Sequence, residues 1–159
     1  MLNVGQSSMV SLISIDPGGV HVGVCFVQLR EDGKHSVQCF EASLDEFLAI
    51  MHTTPADNFN TIIYEGFRVR DLPALVGDRP ATVELIGAIR LMWAFGHGNL
   101  VEQLPSCKAS WPDHELMRVL GWKPHNRHAR DALRHLMHYL ARTEKHSIIE
   151  QLKTANLYG

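Results

Sequence analysis

Two carboxylates stand where apolar segments end. Val10-Ser-Leu-Ile-Ser-Ile runs into Asp16, and Asn60-Thr-Ile-Ile-Tyr runs into Glu65. A carboxylate at the end of an apolar strand is costly to desolvate unless a cation or hydrogen bonds meet it, and aspartate is disfavoured in strands generally. Two of them brought together at the carboxyl edge of a sheet, where α/β proteins bind ligands, repel until a hard cation sits between them. Magnesium accepts oxygen sites of this kind. The chemistry open to such a pair is that of a bound hard cation, which polarises an oxygen or lowers the pKa of a bound water.

A third element lies in His125-Asn-Arg-His128-Ala-Arg-Asp131-Ala-Leu-Arg-His135-Leu-Met-His138-Tyr-Leu140. His128 and Asp131 are three apart and share one face of a helix's first turn. At about 100° per residue, Leu133, Leu136, Met137 and Leu140 cluster on the opposite side, so the helix packs by its later turns while its start presents two ligands. A helix-start acid complementing the dipole explains Asp131 equally well. His128 is either a metal ligand or a group that positions water or transfers a proton near neutral pH. His135 and His138 read as a polar, solvent-facing continuation. With no cysteine near these histidines, a zinc site is not expected.

The loop after Glu65, Gly66-Phe67-Arg68-Val69-Arg70, sets an aromatic ring and two cations beside the proposed site. Phe67 is suited to stacking on bases, with Arg68 and Arg70 on phosphates. Capping of the core by Phe67 and solvated arginines fit the sequence as well.

The elements that must position these groups follow from periodicity and turn chemistry. Strands are predicted at 10–16, 20–29 and 35–41, joined by Gly18-Gly19 and by Glu31-Asp32-Gly33 into an antiparallel meander. Ser43-Leu-Asp-Glu46 is a capping box opening a short helix, and a fourth strand ends at Glu65. A helix is predicted over 80–95, a fifth strand over 100–104 closed by Pro105, a short helix over 113–120 and a long one over 127–143, with a further short helix in the tail. This order places helices against a mixed sheet, an α/β or α+β architecture. Helix 80–95 is apolar on more than one face (Val83, Leu85, Ile86, Ile89, Leu91, Met92, Trp93), which fits a two-fold dimer contact or a fully buried central helix.

At 159 residues with 45% hydrophobic and 20% charged content, the chain is expected to be one folded domain, with a core over 10–143 and a tail over 144–159. No apolar run approaches the roughly 18 residues of a membrane span, and residues 1–8 lack the pattern of a signal peptide. Cys25, Cys39 and Cys107, odd in number and without CxxC spacing, are expected as reduced, mostly buried thiols of a cytoplasmic protein. The net charge of −2 hides an asymmetry: residues 1–65 carry two basic side chains against eight acidic, residues 66–159 thirteen against nine. A partly basic surface around an acidic site suits a polyanion, although ordinary solvated charge accounts for it too.

Four of these pieces in register, Ile15-Asp16-Pro-Gly with its Gly23-Val24 return, Ile63-Tyr-Glu65, Gly87-Ala-Ile-Arg90 and His128-Ala-Arg-Asp131-Ala132, resemble the RuvC-type Holliday junction resolvases, in particular small phage-encoded members, of the ribonuclease H-like superfamily. The resemblance spans about 10–141. It implies a ribonuclease H-like fold, an α/β mixed five-stranded sheet whose first three strands are antiparallel, and a homodimeric endonuclease that cuts four-way DNA junctions with two magnesium ions per site, manganese substituting. Asp16, Glu65 and Asp131 match the family's metal-binding carboxylates. His128 stands where the commonest pattern has another aspartate, which could shift preference toward manganese. Lys108 resembles a lysine following the fifth strand, a phosphate contact, and Arg127 and Arg130 join Phe67, Arg68 and Arg70 as DNA-contacting candidates. The resemblance also places the protein in bacterial cytoplasm, or in host cytoplasm if phage-encoded. Rival readings are a same-fold nuclease acting on flap DNA or RNA–DNA hybrid, a non-catalytic junction-binding protein, and, last, an actin-like nucleotide-binding fold for which the chain is short.

Overall fold

The computed structural model describes residues 10–30, 32–54, 59–66, 81–94 and 98–155. Strands β1 (Val10–Pro17), β2 (His21–Leu29) and β3 (His35–Ser43) lead to helix α1 (Leu44–Thr53); β4 (Thr61–Glu65), α2 (Ala81–Ala94) and β5 (Asn99–Gln103) follow. A 3-10 turn (Pro105–Ser110), α3 (Asp113–Leu120), α4 (Arg127–Arg142) and α5 (His146–Ala155) complete the order. The five strands form one mixed sheet in the order β3-β2-β1-β4-β5. β1, β2 and β3 pair antiparallel, whereas β4 runs parallel to β1 and β5 parallel to β4.

The period of two along each strand sorts side chains between two cores. Ile13, Ile15, Val22, Val24, Ile62 and Tyr64 face α1 and α2, meeting Phe47, Met51, Leu85, Ile86 and Ile89. Their neighbours Leu12, Cys25, Val27 and Ile63 face the other way, onto α3, α4 and α5. The same alternation puts Ser14, Asp16, Glu65 and Gln103 on the α4 side. Ser14 Oγ donates to the Ala132 carbonyl at 2.8 Å and ties β1 to the middle of α4.

Local chemistry accounts for the helix ends. Ser43 caps α1 reciprocally with Glu46, as the capping box requires. Gly121 closes α3 in the left-handed conformation at φ 79°. The predicted elements recur within a few residues of their expected bounds; the turn opened by Pro105 is an addition.

Close approach of α4 to β2 depends on Gly23. A Cβ built there would lie 1.9 Å from the His128 carbonyl oxygen and 2.8 Å from the Ala129 nitrogen, both backbone atoms that cannot rotate away. Gly23→Ala must therefore push the start of α4 off the sheet. The expected cost is about 1–3 kcal/mol, seen as a lower Tm in thermal denaturation and accompanied by loss of any activity that needs α4 in place.

One expectation is corrected outright. Cys25 and Cys39 are not free thiols: they face each other in register across β2 and β3, with Cα atoms 4.2 Å apart, and form a disulfide. That pairing depends on strand register, which the residue spacing alone did not specify. Cys107 is the free cysteine among the described residues. No helix among these residues is long and apolar enough to cross a membrane.

Candidate metal centre

The parallel registers of β1 with β4 (Ile15 opposite Tyr64) and of β4 with β5 (Glu65 opposite Gln103) bring Asp16, Glu65 and Gln103 side by side at one sheet edge. α4 passes over that edge and adds His128, Asp131 and His135, while the turn after β5 adds Lys108. Asp16 and Asp131 are each 5% exposed and His135 is fully buried. Asp16, Glu65 and His135 offer donor atoms that all lie within 4.8 Å of one another, a grouping able to hold a metal ion.

Lys108 ties the carboxylates together. Its Nζ lies 2.7 Å from Glu65 Oε2, 3.2 Å from Asp131 Oδ2 and 3.5 Å from Asp16 Oδ1. The other oxygens are held from outside: His128 Nδ1 is 2.7 Å from Asp16 Oδ2, and Arg134 ion-pairs with Asp131 Oδ1. Arg134 also donates to the Trp111 carbonyl and meets Asp113, so it is fixed at three points.

The charges respond unequally to this crowding. Burial raises the pKa of Asp16, and the repulsion of Glu65 and Asp131 adds to it, against the pull of Lys108 and the His128 hydrogen bond. Burial opposes ionisation of Glu65 too, yet its direct hydrogen bonds from His135 and Lys108 bring it down to about 2. The two differ because burial weighs most on Asp16 and its neighbours Glu65 and Asp131 repel its charge, whereas Glu65 accepts direct hydrogen bonds from both His135 and Lys108. Burial opposes the charge of Lys108, but the Glu65 hydrogen bond and the fields of all three carboxylates leave its pKa above the ordinary lysine value. Asp16 is thus a carboxylate whose ionised form is short of positive charge.

Of the residues singled out from the sequence, Asp16, Glu65, His128 and Asp131 meet at this edge. Phe67, Arg68 and Arg70 lie outside the described residues. Lys108, expected as a phosphate contact, points into the carboxylates. Arg127 is exposed at the start of α4, whereas Arg130 turns toward Asp113, with Nε 3.3 Å from Oδ1.

His135 is the main correction. Expected on a solvent face, it is enclosed, with Nε2 2.8 Å from Glu65 Oε2 and Nδ1 2.7 Å from Gln103 Oε1. A carboxylate only accepts, so Nε2 carries a hydrogen and donates to Glu65. The ring is then either an imidazolium donating at both nitrogens or a neutral ring whose Nδ1 accepts from a turned Gln103 amide. Spacing held a clue: His128, Asp131 and His135 fall on successive turns of one helix face. Gln103 likewise occupies the strand-end position in β5 that Asp16 and Glu65 occupy in β1 and β4.

No protein-family model and no curated protein sequence matches the chain. Solved structures do. Thermus thermophilus RuvC in complex with a Holliday junction substrate superposes with a TM-score of 0.56 at 16% identity, over 83% of this chain and 95% of that one. A second Thermus thermophilus RuvC structure gives 0.55 at 17% identity over 84% and 96%. The yeast mitochondrial Holliday junction resolvase Ydc2 gives 0.50 at 13% identity over 98% and 85%. The mixed five-stranded sheet and its flanking helices are therefore the ribonuclease H-like fold in its RuvC form.

Proposed function

We propose that this chain is a divalent-metal-dependent endonuclease that resolves four-way DNA junctions by phosphodiester hydrolysis. The observation that carries the reading is the convergence of Asp16, Glu65 and Asp131, from three elements, on a single cation position. The RuvC-like fold supports the choice of substrate, because one of the similar structures is a complex with a Holliday junction.

The donor set fits magnesium or manganese. Oxygen ligands are what these ions prefer, and the raised pKa of Asp16 marks a carboxylate whose ionised form a cation would stabilise. Bound there, divalent ions, two per site on this reading, would supply a Lewis acid for the phosphodiester oxygens and a more acidic attacking water. Asp16, Glu65 and Asp131 are the proposed ligands. His135 fixes the orientation of Glu65, and Arg134 does the same for Asp131. His128 holds Asp16 through Nδ1, which leaves its Nε2 for a metal or for proton transfer at the reacting phosphate.

Contacts to DNA are assigned to Phe67, Arg68 and Arg70, next in the chain after Glu65, and to Arg127 and Arg130 at the start of α4. Two paired strands call for two sites, and a homodimer supplies them. In α2, Leu85, Ile86 and Ile89 pack on the sheet while Leu91 is 64% exposed, which supports a second apolar face for that contact.

A cleavage panel of four-way, flap and RNA–DNA hybrid substrates in magnesium and in manganese tests the reading. Paired nicks in the four-way junction are expected. Preference for flap or hybrid would replace the resolvase assignment by another nuclease of this fold, and junction binding without cleavage would make the chain a non-catalytic binder.

A further inference from the structure

We propose that Lys108 is the built-in occupant of the divalent-cation position, holding it closed in the metal-free protein and leaving it when an ion binds. The inference rests on the metal-centre reading above and concerns how that centre is loaded.

Three carboxylate oxygens from three different elements, Asp16 Oδ1 on β1, Glu65 Oε2 on β4 and Asp131 Oδ2 on α4, all approach one ammonium nitrogen within 3.5 Å. A surface ion pair needs one carboxylate; an ammonium shared among three stands where a bare cation would. The second oxygens of Asp16 and Asp131 are engaged by His128 and Arg134, so these carboxylates do not follow the lysine if it moves. Charge balance favours the exchange. With both histidines neutral, three carboxylates and Arg134 sum to −2; Lys108 reduces this to −1, and one divalent ion in its place brings it to zero.

The lysine is also able to leave. Its side chain is 24% exposed, against 6–7% for Asp16 and Asp131, so it reaches the cluster from the solvent side. It hangs on four methylenes from the 3-10 turn Pro105–Ser110, and rotation about those bonds withdraws the charge without moving the backbone. Binding then has to draw on the minor open population, which weakens apparent affinity by the fraction that is open.

The test is manganese binding to the full chain, without DNA, by calorimetry or electron paramagnetic resonance. Lys108→Met should bind manganese about tenfold more tightly than wild type, as expected if the open form is about a tenth of the population. Lys108→Arg, which keeps the charge, should stay near wild type. Equal or weaker binding by Lys108→Met would overturn the inference while leaving the metal centre intact. Binding by neither chain would overturn the metal-centre reading, and the inference with it. Should Lys108→Met fail to fold, pulse acetylation of wild type read by mass spectrometry decides. Labelling of Lys108 should rise several-fold when magnesium is added, and unchanged labelling would overturn the inference.

Discussion

Asp16→Asn is expected to abolish cleavage while junction binding persists, and to leave the metal-free protein as stable as wild type or more so. Activity is lost because the amide keeps the shape of the carboxylate but not the charge that binds a cation. The stability half follows from the sign of the shift. A carboxyl whose folded pKa lies above its unfolded value of 3.8 favours the folded state only below that value, and the advantage disappears as pH rises through the folded pKa. At neutral pH the ionised Asp16 therefore counts against folding, and an asparagine escapes that penalty. Glu65 has the opposite sign: held at about 2, it stabilises the fold above its unfolded pKa of 4.5, and the contribution fades as pH falls from there toward 2. Thermal denaturation in EDTA at pH 7, beside a junction-nicking assay, reads both halves. A clear drop in Tm for Asp16→Asn, or undiminished nicking, would contradict the account.

His135→Ala carries the second large effect. The substitution opens a cavity in a fully buried position and strips one hydrogen-bond partner each from Glu65 and Gln103. Losses of this kind cost about 2–5 kcal/mol, and at roughly 2–4 °C per kcal/mol for a chain of this size the Tm should fall by about 4–20 °C. Cleavage should fall with it, since Glu65 loses the donor that orients it. His135→Gln can still present an N–H toward Glu65 and should recover part of both. A Tm within a degree or two of wild type for His135→Ala would mean that the imidazole does not hold the site together.

Much of this arrangement was legible in the sequence. Alternating apolar residues, the Ser43–Glu46 capping box and Gly121 marked the elements, because each is a local signal read from a few neighbouring residues. Asp16 and Glu65 stood out because acidic residues are out of place at the ends of such strands. What escaped depended on which elements lie against which. Cys25 and Cys39 become partners only through the β2–β3 register. From the sequence His135 lies on the polar side of α4, opposite its leucines, a side that local periodicity assigns to solvent but that the strand ends of β4 and β5 cover. Arg134 carries no local signal of its role, which comes from the Trp111 carbonyl, Asp113 and Asp131 converging on its guanidinium. The basic excess after Glu65 fits a surface for a polyanion and ordinary solvated charge equally well on the sequence alone. Within the described residues several of these cations are paired: Arg90 with Glu102, and Lys123 and Arg130 with Asp113, in ion pairs at the surface, and Lys108 with the carboxylates of the site.

The central claim is that Asp16 and its neighbours bind a divalent cation, and a crystal grown or soaked in manganese tests it most directly through anomalous scattering. The account predicts an anomalous peak in contact with Asp16 and Glu65, beside Asp131, with the Lys108 ammonium displaced from its present position. Manganese at saturating concentration that binds only elsewhere, leaving Lys108 among the three carboxylates, would contradict it.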